Sequence, residues 1–193
     1  MDKLEKPEIT TEEVRSPDGK LMRTYSIKNG QLEGLMIIYD DNGNIAQKLN
    51  YENGELSGPA EFYNDGTPVM HAPFQKGVLN GIATFFNDGL KSGEATFKNG
   101  VIDGIFTSFD RLGRIIREAN YVNGKMDGDC YTYYSDGVVQ EKAFYNDNKL
   151  EGTVTRYYPS GAVLEISNYE NGIPIGYVET YDESGNLISK KDV

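Results

Sequence analysis

An eight-residue segment that recurs along the whole chain constrains the fold more than any other sequence feature. It reads YVNGKMDG at residues 121–128, with relatives YENGELSG at 51–58, FQKGVLNG at 74–81, FKNGVIDG at 97–104, YNDNKLEG at 145–152 and YENGIPIG at 169–176. A partial copy, IKNGQLEG, occupies residues 27–34. The segments close with Gly34, Gly58, Gly81, Gly104, Gly128, Gly152 and Gly176, in steps of 24, 23, 23, 24, 24 and 24 residues. A fixed period of this length indicates a repeat array, in which each unit packs against its neighbours.

Each repeat contains two stretches with the residue pattern of β-strands. The first strand follows the closing glycine and reaches an aromatic residue five positions later: Tyr39, Tyr63, Phe86, Phe109, Tyr133, Tyr157 and Tyr181. A turn containing glycine comes next. The second strand then runs to another aromatic residue, which is Tyr51, Phe74, Phe97, Tyr121, Tyr145 or Tyr169. In most repeats apolar residues lie two and six positions before this aromatic, with Ser167, Pro68 and Lys91 as exceptions, and this period of two indicates a half-buried strand. Asn-Gly after the second strand indicates a hairpin turn.

The glycines are placed where the backbone has to turn. Of the 22 glycines, seven close repeats, eight lie in the turn between the two strands and six follow the Asn position, which leaves only Gly93. Asn148 fills the one vacancy in the last column, and Asn tolerates the left-handed region best after glycine. The two 23-residue steps arise from shorter NDG turns. We expect strand lengths to be unchanged there, because a slip within a strand would expose its apolar face.

These patterns predict an all-β fold, an elongated and twisted antiparallel meander of about eight stacked β-hairpins. Residues 1–10 are predicted to be a flexible lead-in and residues 11–193 the repeat domain, with a polar first strand at 11–15 and a last strand at 186–191. At ~4.8 Å per strand, the array is expected to extend roughly 70–80 Å. Equivalent aromatics are expected to form ladders whose contacts contribute about 0.2–1 kcal/mol each.

Composition limits the classes of partner. The formal net charge of −11 disfavours nucleic acid and anionic membrane surfaces, which require clustered Lys and Arg. No apolar run approaches the ~20 residues of a membrane span. Cys130 is the single cysteine, so no internal disulfide forms, which fits a reducing compartment. We expect a cytoplasmic protein if the chain is full-length, and an exported one if a signal peptide has been removed.

The recurring Y-x-N-G-x-L-x-G segment, followed by an aromatic residue and a second glycine turn, resembles MORN repeats. The resemblance is to the bacterial variant of that family, whose proteins are often labelled as antitoxins or immunity proteins, and it extends from about Gly19 to the C-terminus. It implies stacked β-hairpins in an elongated antiparallel sheet, in agreement with the pattern above. It also implies a protein that binds other proteins rather than an enzyme.

Candidates for chemistry are few. His71 is the only histidine, and no serine lies in a glycine elbow, so an ordinary strand position is the favoured interpretation. Cys130 shares a small-residue column with Ala60, Ala83, Val154 and Val178, which predicts a structural role. Acids in the turns would line one edge of the sheet. A calcium-binding ridge is one hypothesis for them, although Asp is also a common turn residue.

The sequence therefore predicts a binding protein without catalytic residues, metal or cofactor. The candidate binding surface is the aromatic column of Tyr39, Tyr63, Phe86, Phe109, Tyr133, Tyr157 and Tyr181. The leading hypothesis is a protein partner, with a basic toxin as one example, because tyrosines supply anchoring area and acids attract a cationic surface. A self-associating scaffold, hence a homo-oligomer, is the first alternative, and a glycan-binding surface is the second.

Overall fold

The computed structural model describes residues 8–193, and all regular structure in this range is β. The predicted lead-in falls largely on residues 1–7, outside the described residues, and the first strand begins at Thr10. Twenty strands form an antiparallel meander of hairpins, which confirms the predicted fold class. Residues 8–193 contain no helix that is long and apolar enough to span a membrane.

The chain divides into two compact units. The N-terminal unit runs to Leu90 and includes Phe97–Gly100, and the C-terminal unit comprises Lys91–Thr96 and Val101–Val193. The first ten strands are β1 (Thr10–Arg15), β2 (Leu21–Lys28), β3 (Gln31–Leu32), β4 (Gly34–Tyr39), β5 (Ile45–Glu52), β6 (Glu55–Leu56), β7 (Gly58–Asn64), β8 (Thr67–Gln75), β9 (Val78–Leu79) and β10 (Gly81–Asn87). The residues of β11 (Leu90–Lys98) are divided between the units. The C-terminal unit contains β12 (Val101–Phe109), β13 (Ile115–Val122), β14 (Lys125–Tyr133), β15 (Val139–Asn146), β16 (Lys149–Leu150), β17 (Gly152–Tyr157), β18 (Val163–Glu170), β19 (Ile173–Tyr181) and β20 (Leu187–Asp192).

The Asn-Gly turns have the backbone that the sequence predicts. Asn53 has φ 51° and Gly54 has φ 83°, and Glu52 pairs with Glu55 across them. Two successive residues with positive φ produce the tight hairpin turn whose twist matches that of the flanking strands. Asn148, at φ 69°, takes the left-handed position that glycine occupies elsewhere, as predicted. Every glycine except Gly93 has positive φ, which confirms the three glycine columns.

The loops between the first and second strands are of two kinds. Most resemble the loop at Asp40, where the Asp40 amide donates to Asn44 O and the Gly43 amide donates to Asp40 O. In the short repeats, Asp65 and Gly66 alone connect Asn64 to Thr67. The expectation that strand lengths stay the same is wrong. The short loop lets β7 and β8 each extend by one residue relative to β4 and β5, from six to seven and from eight to nine residues.

One side of the strands, the packed face, carries a line of buried residues, most of them small. They are Met36, Leu49, Ala60, Ala72, Ala83, Ala95, Ala119, Cys130, Ala143, Val154 and Ser167, and none is more than 8% exposed. Direct cross-strand pairs in this line include Met36 with Leu49, and Ala60 with Ala72. Larger neighbours cover the small ones, as where the rings of Phe62 and Phe74 lie 6.4 Å apart beside Ala60. The prediction that Cys130 is structural agrees with its burial in this line.

Hydrogen bonds between successive Asn-Gly turns connect one repeat to the next. The amides of Gly54, Gly77, Gly100, Gly124, Asn148 and Gly172 donate to the carbonyls of Leu32, Leu56, Leu79, Ile102, Met126 and Leu150, at 2.7 to 2.9 Å. The residue before the closing glycine adds a second bond in several repeats. The Asn53 amide, for example, donates to the Glu33 carboxylate at 2.9 Å. These bonds satisfy turn amides that have no partner within their own hairpin.

Candidate functional site

The seven aromatic residues of the predicted site lie on the face opposite the buried line, called here the open face. Each lies three positions after the buried-column residue of its own strand, as Tyr63 does after Ala60. Because side chains alternate along a strand, an odd spacing puts the two on opposite sides. All seven are half-buried. They therefore keep exposed ring surface while their neighbours hold them in place.

An apolar residue of the adjacent strand pairs with six of the seven aromatics. The pairs are Tyr39 with Ile45, Tyr63 with Pro68, Phe109 with Ile115, Tyr133 with Val139, Tyr157 with Val163 and Tyr181 with Leu187. In each unit, aromatic and aliphatic side chains thus alternate from strand to strand in a line next to the loops between first and second strands. We call the seven aromatics and these six partners the aromatic row.

The expectation of ring-to-ring ladders within this column is wrong. Five aromatic ring pairs occur in residues 8–193, and none of them joins two of the seven. Equivalent residues of successive repeats lie two strands apart, about 10 Å, which is beyond ring contact. Side chains of the intervening strands fill the gap. Phe86 packs on His71 at 4.7 Å, and Phe109 lies 4.2 Å from Lys91 Nζ.

Carboxylates hold the hydroxyl groups of three tyrosines in the row. The Tyr63 hydroxyl donates to Glu61, which also accepts from Lys48 Nζ at 2.8 Å. Tyr133 donates to Glu118 at 2.6 Å across the sheet. In the last repeat Tyr181 donates to Glu179 at 2.8 Å. A ring whose hydroxyl is fixed in this way loses less rotamer freedom when a partner covers it.

These contacts shift the pKa of Glu61, Glu179 and Tyr133. The hydrogen bonds from Lys48 and then Tyr63 lower the pKa of Glu61, and those from Lys190 and Tyr181 do the same for Glu179. Burial, together with the hydrogen bond to Glu118, raises the pKa of Tyr133 to about 12. At neutral pH Glu61 and Glu179 are therefore charged and the Tyr133 hydroxyl is protonated, so the row has negative charge beside its rings.

The acids of the loops are engaged in forming the turns. Asp110 Oδ1 accepts from the amides of Leu112 and Arg114, and its other oxygen accepts from Arg114 Nε at 2.7 Å. The backbone and side chain of Arg114 lower the pKa of Asp110. Asp40 and Asp182 make the same amide contacts in their own loops. Within residues 8–193, no group of three or more His, Cys, Asp or Glu side chains is placed to hold a metal ion.

The other two candidates for chemistry, His71 and Cys130, are packed against neighbouring side chains of the sheet. His71 pairs with Glu61 across the strands and its ring packs at a tilt of 59° against Phe86, as expected for a strand residue. Cys130 is buried, and Arg117 Nε approaches its sulfur at 3.4 Å.

Sequence reasoning missed the carboxylates that hold the tyrosines. For Glu61 and Glu179 the signal was present, because an acid two residues before an aromatic shares its face of the strand. Glu118 lies 15 positions from Tyr133, so only the register of β13 and β14 brings them together.

Comparison with known protein families identifies part of the array. The family described as MORN repeat variant matches residues 32–53, 126–147 and 150–171. These segments contain MORN repeats, which commonly act as modules for protein interaction and do not define an enzyme family. No curated protein matches the chain.

Proposed function

We propose that this MORN-repeat chain binds a protein partner on its open face, through the aromatic row. The observation that carries the proposal is the alternation of half-buried aromatic side chains with aliphatic ones, of which Ile115 and Leu187 are exposed. Tyr133, Val139, Tyr157 and Val163 show it within one stretch of the C-terminal unit. Aromatic anchors of this kind contribute most of the affinity in many protein interfaces.

Charge favours a basic partner. Glu61, Glu118 and Glu179 lie beside the row, and Asp40, Asp110 and Asp182 begin loops next to it. With a net charge of −11, the chain attracts cationic surfaces and repels acidic ones. We expect this charge to act mainly on the association rate, while the rings determine how slowly the complex dissociates.

An antitoxin or immunity protein is the specific form of this function that we favour. Such a protein has to cover a basic toxin surface without chemistry of its own, and an acidic row with tyrosine anchors suits that task. A gene for a basic toxin next to the gene for this chain would support this form. Co-expression should then restore growth to cells that produce the toxin, and failure to do so would exclude the immunity role while leaving protein binding intact.

The test compares two double variants. Tyr133→Ser with Tyr157→Ser removes two anchors of the aromatic row. Thr132→Ala with Arg156→Ala changes the neighbouring residues on the packed face and is the control. The wild-type chain is used to isolate bound proteins from its source organism, and each captured protein is purified and titrated against all three chains. We expect a captured partner to lose at least about tenfold in affinity for the tyrosine variant.

The control variant should bind that partner as the wild type does. Capture of no protein, or equal binding by both double variants, would contradict the proposal. Replacing the exposed loop acids Asp41 and Glu183 by Lys should slow association with a basic partner. Binding to sugars on a glycan array would instead support the alternative in which the rings stack on sugars, and an array without binding would exclude it.

A further inference from the structure

The two outermost strands of the described chain, β1 and β20, each pair on one side only. β1 pairs with β2, and β20 pairs with β19. The other edge of each strand has no strand partner within residues 8–193. Exposed edges of this kind present unpaired backbone groups to any strand that can pair with them.

The two edges belong to different strand types of the repeat. β1 precedes a loop in which the Ser16 amide donates to Lys20 O, as the Asp40 amide donates to Asn44 O, so β1 is a first strand. β20 follows the equivalent loop at Asp182 and is a second strand. Within the array, every second strand pairs antiparallel with the first strand of the next repeat, as β5 does with β7. Inside the array, the free edge of a second strand such as β20 would therefore pair with the free edge of a first strand such as β1.

The register of that pairing puts opposite charges face to face. In β5 and β7, Lys48 pairs with Glu61, and its Nζ lies 2.8 Å from the carboxylate. Lys190 occupies the position of Lys48, five residues after the loop glycine. Glu13 occupies the position of Glu61, because each lies two residues before the aromatic-column position of its strand, which holds Arg15 in β1 and Tyr63 in β7. The same register puts Lys191 opposite Glu12.

Glu12 and Lys191 stand in the column that forms the buried line elsewhere. Inside the array this column holds Met36, Leu49 and small residues that are at most 8% exposed. At the two ends it holds charged, exposed residues of opposite sign. Glu12 accepts a hydrogen bond from Tyr25 at 2.7 Å, whereas the side chain of Lys191 has no hydrogen-bond or ion-pair partner among residues 8–193.

We propose that these edges join two copies of this chain head to tail, with β20 of one copy pairing antiparallel to β1 of the next. The backbone bonds would continue the array, and Lys190 and Lys191 would face Glu13 and Glu12 of the neighbouring copy. Like edges repel, because β1 against β1 opposes glutamates and β20 against β20 opposes lysines. The charges thus select the heterologous contact over a symmetric one.

Existing intramolecular contacts do not prevent this pairing. Lys190 Nζ binds Glu179 at 2.7 Å, and Glu13 binds Arg15 at 2.8 Å. Arg156 shows that one cation can serve acids on both sides of its strand, because it binds Glu141 and Glu165 at 2.9 Å each. With six residues in each strand, the contact is small, and we expect association to be weak and salt-sensitive. This inference does not depend on the proposed protein partner.

The experiment is a charge swap measured by sedimentation velocity over a wide concentration range at low salt. The first variant carries Glu12→Lys and Glu13→Lys, and the second carries Lys190→Glu and Lys191→Glu. A third combines all four substitutions. The control, Glu52→Lys with Glu55→Lys, gives the same change of net charge as the first variant at an exposed hairpin away from both edges. Circular dichroism verifies that each chain is folded.

We expect the wild type to self-associate and each edge variant to dissociate at least about tenfold more readily. The variant with all four substitutions should associate like the wild type, because its β1 is then basic and its β20 acidic. An equimolar mixture of the two edge variants should also associate, because each basic edge of one variant can pair with an acidic edge of the other. The control should be unchanged. A wild type that stays monomeric at every concentration would overturn the proposal, as would association that persists equally in both edge variants. If one edge variant fails to fold, the other still decides.

Discussion

The two units use the same backbone but stabilise it with different side chains. The position four residues after the closing glycine lies on the packed face, beside the buried line. In the N-terminal unit it holds Ile38, Phe62 and Phe85, and in the C-terminal unit it holds Ser108, Thr132, Arg156 and Thr180. The repeat therefore fixes strand register and turns without fixing the chemistry of the packed face.

The contacts at this position differ accordingly. Phe62 packs on Phe74 against the cluster of Met36, Leu49 and Ala60. Arg156 instead bridges Glu141 and Glu165, with its side chain 50% exposed. Apolar contact is insensitive to screening, whereas exposed ion pairs weaken in salt. We expect the N-terminal unit to depend on packing and the C-terminal unit more on polar pairs.

The largest effects should fall on what the units share. Gly54→Val and Gly124→Val each force a β-branched residue into positive φ, at 83° and 82°. An added Cβ has no close contact at Gly124, so the cost is backbone strain, about 2–3 kcal/mol of unfolding free energy. Chemical denaturation should show similar losses in both units. A neutral effect at either glycine would contradict the turn assignment.

Phe62→Ala should separate the units clearly. Loss of a half-buried ring from the apolar cluster is expected to cost about 2 kcal/mol, below the range for fully buried Phe. Thr132→Ala, at the matching position of the C-terminal unit, should stay within about 0.5 kcal/mol. Hydrogen exchange, read unit by unit, locates the change. Equal costs would show that packing matters alike in both units.

Arg156→Met tests the polar side of the comparison. The substitution keeps most of the side-chain length and removes two exposed ion pairs, so we expect a loss of about 0.5–1 kcal/mol at low salt. Melting at high salt should reduce the difference from wild type, while the effect of Phe62→Ala should persist. A salt-independent loss would mean that Arg156 acts through packing of its stem.

Lys76 is the residue that departs from Asn or Asp at its turn position in the N-terminal unit. It has φ 50°, and Lys76→Asn should raise the unfolding free energy by roughly 0.5–1 kcal/mol because Asn accepts this backbone more readily. Asn148→Gly in the C-terminal unit should be close to neutral. Thermal melts of both variants give the measurement, and the opposite order would be inconsistent with the assigned turns.

The smallest effect concerns alkaline pH. Because the pKa of Tyr133 is raised from 10.0 to about 12, its contribution to stability is complete below pH 10 and is lost as pH rises towards 12. The Tyr133→Phe variant should therefore lose stability less steeply than the wild type over this interval. Denaturation at several pH values provides the comparison, and parallel curves would exclude a role for this hydroxyl.

Much of the architecture could be predicted because its signals are local. The turns depend on Asn, Asp and Gly at positions that need positive φ, and Asn148 was identified as a glycine substitute from its column alone. The sequence predicts the last strand at 186–191, one residue earlier than the observed Leu187–Asp192. The cross-strand neighbours of the aromatic column are harder to predict because of a β-bulge. Thr132 pairs with Glu141 but Tyr133 pairs with Val139, so β15 has one extra residue opposite these two. Residue spacing alone therefore did not identify the contacts across the strands.

The sequence by itself determined the period and the hairpins, because these follow from bond geometry within a few residues. Only the tertiary structure decided which side chains meet. Glu118 reaches Tyr133, and the Asn53 amide reaches Glu33 20 residues away, because strand register brings distant parts of the chain within hydrogen-bonding distance.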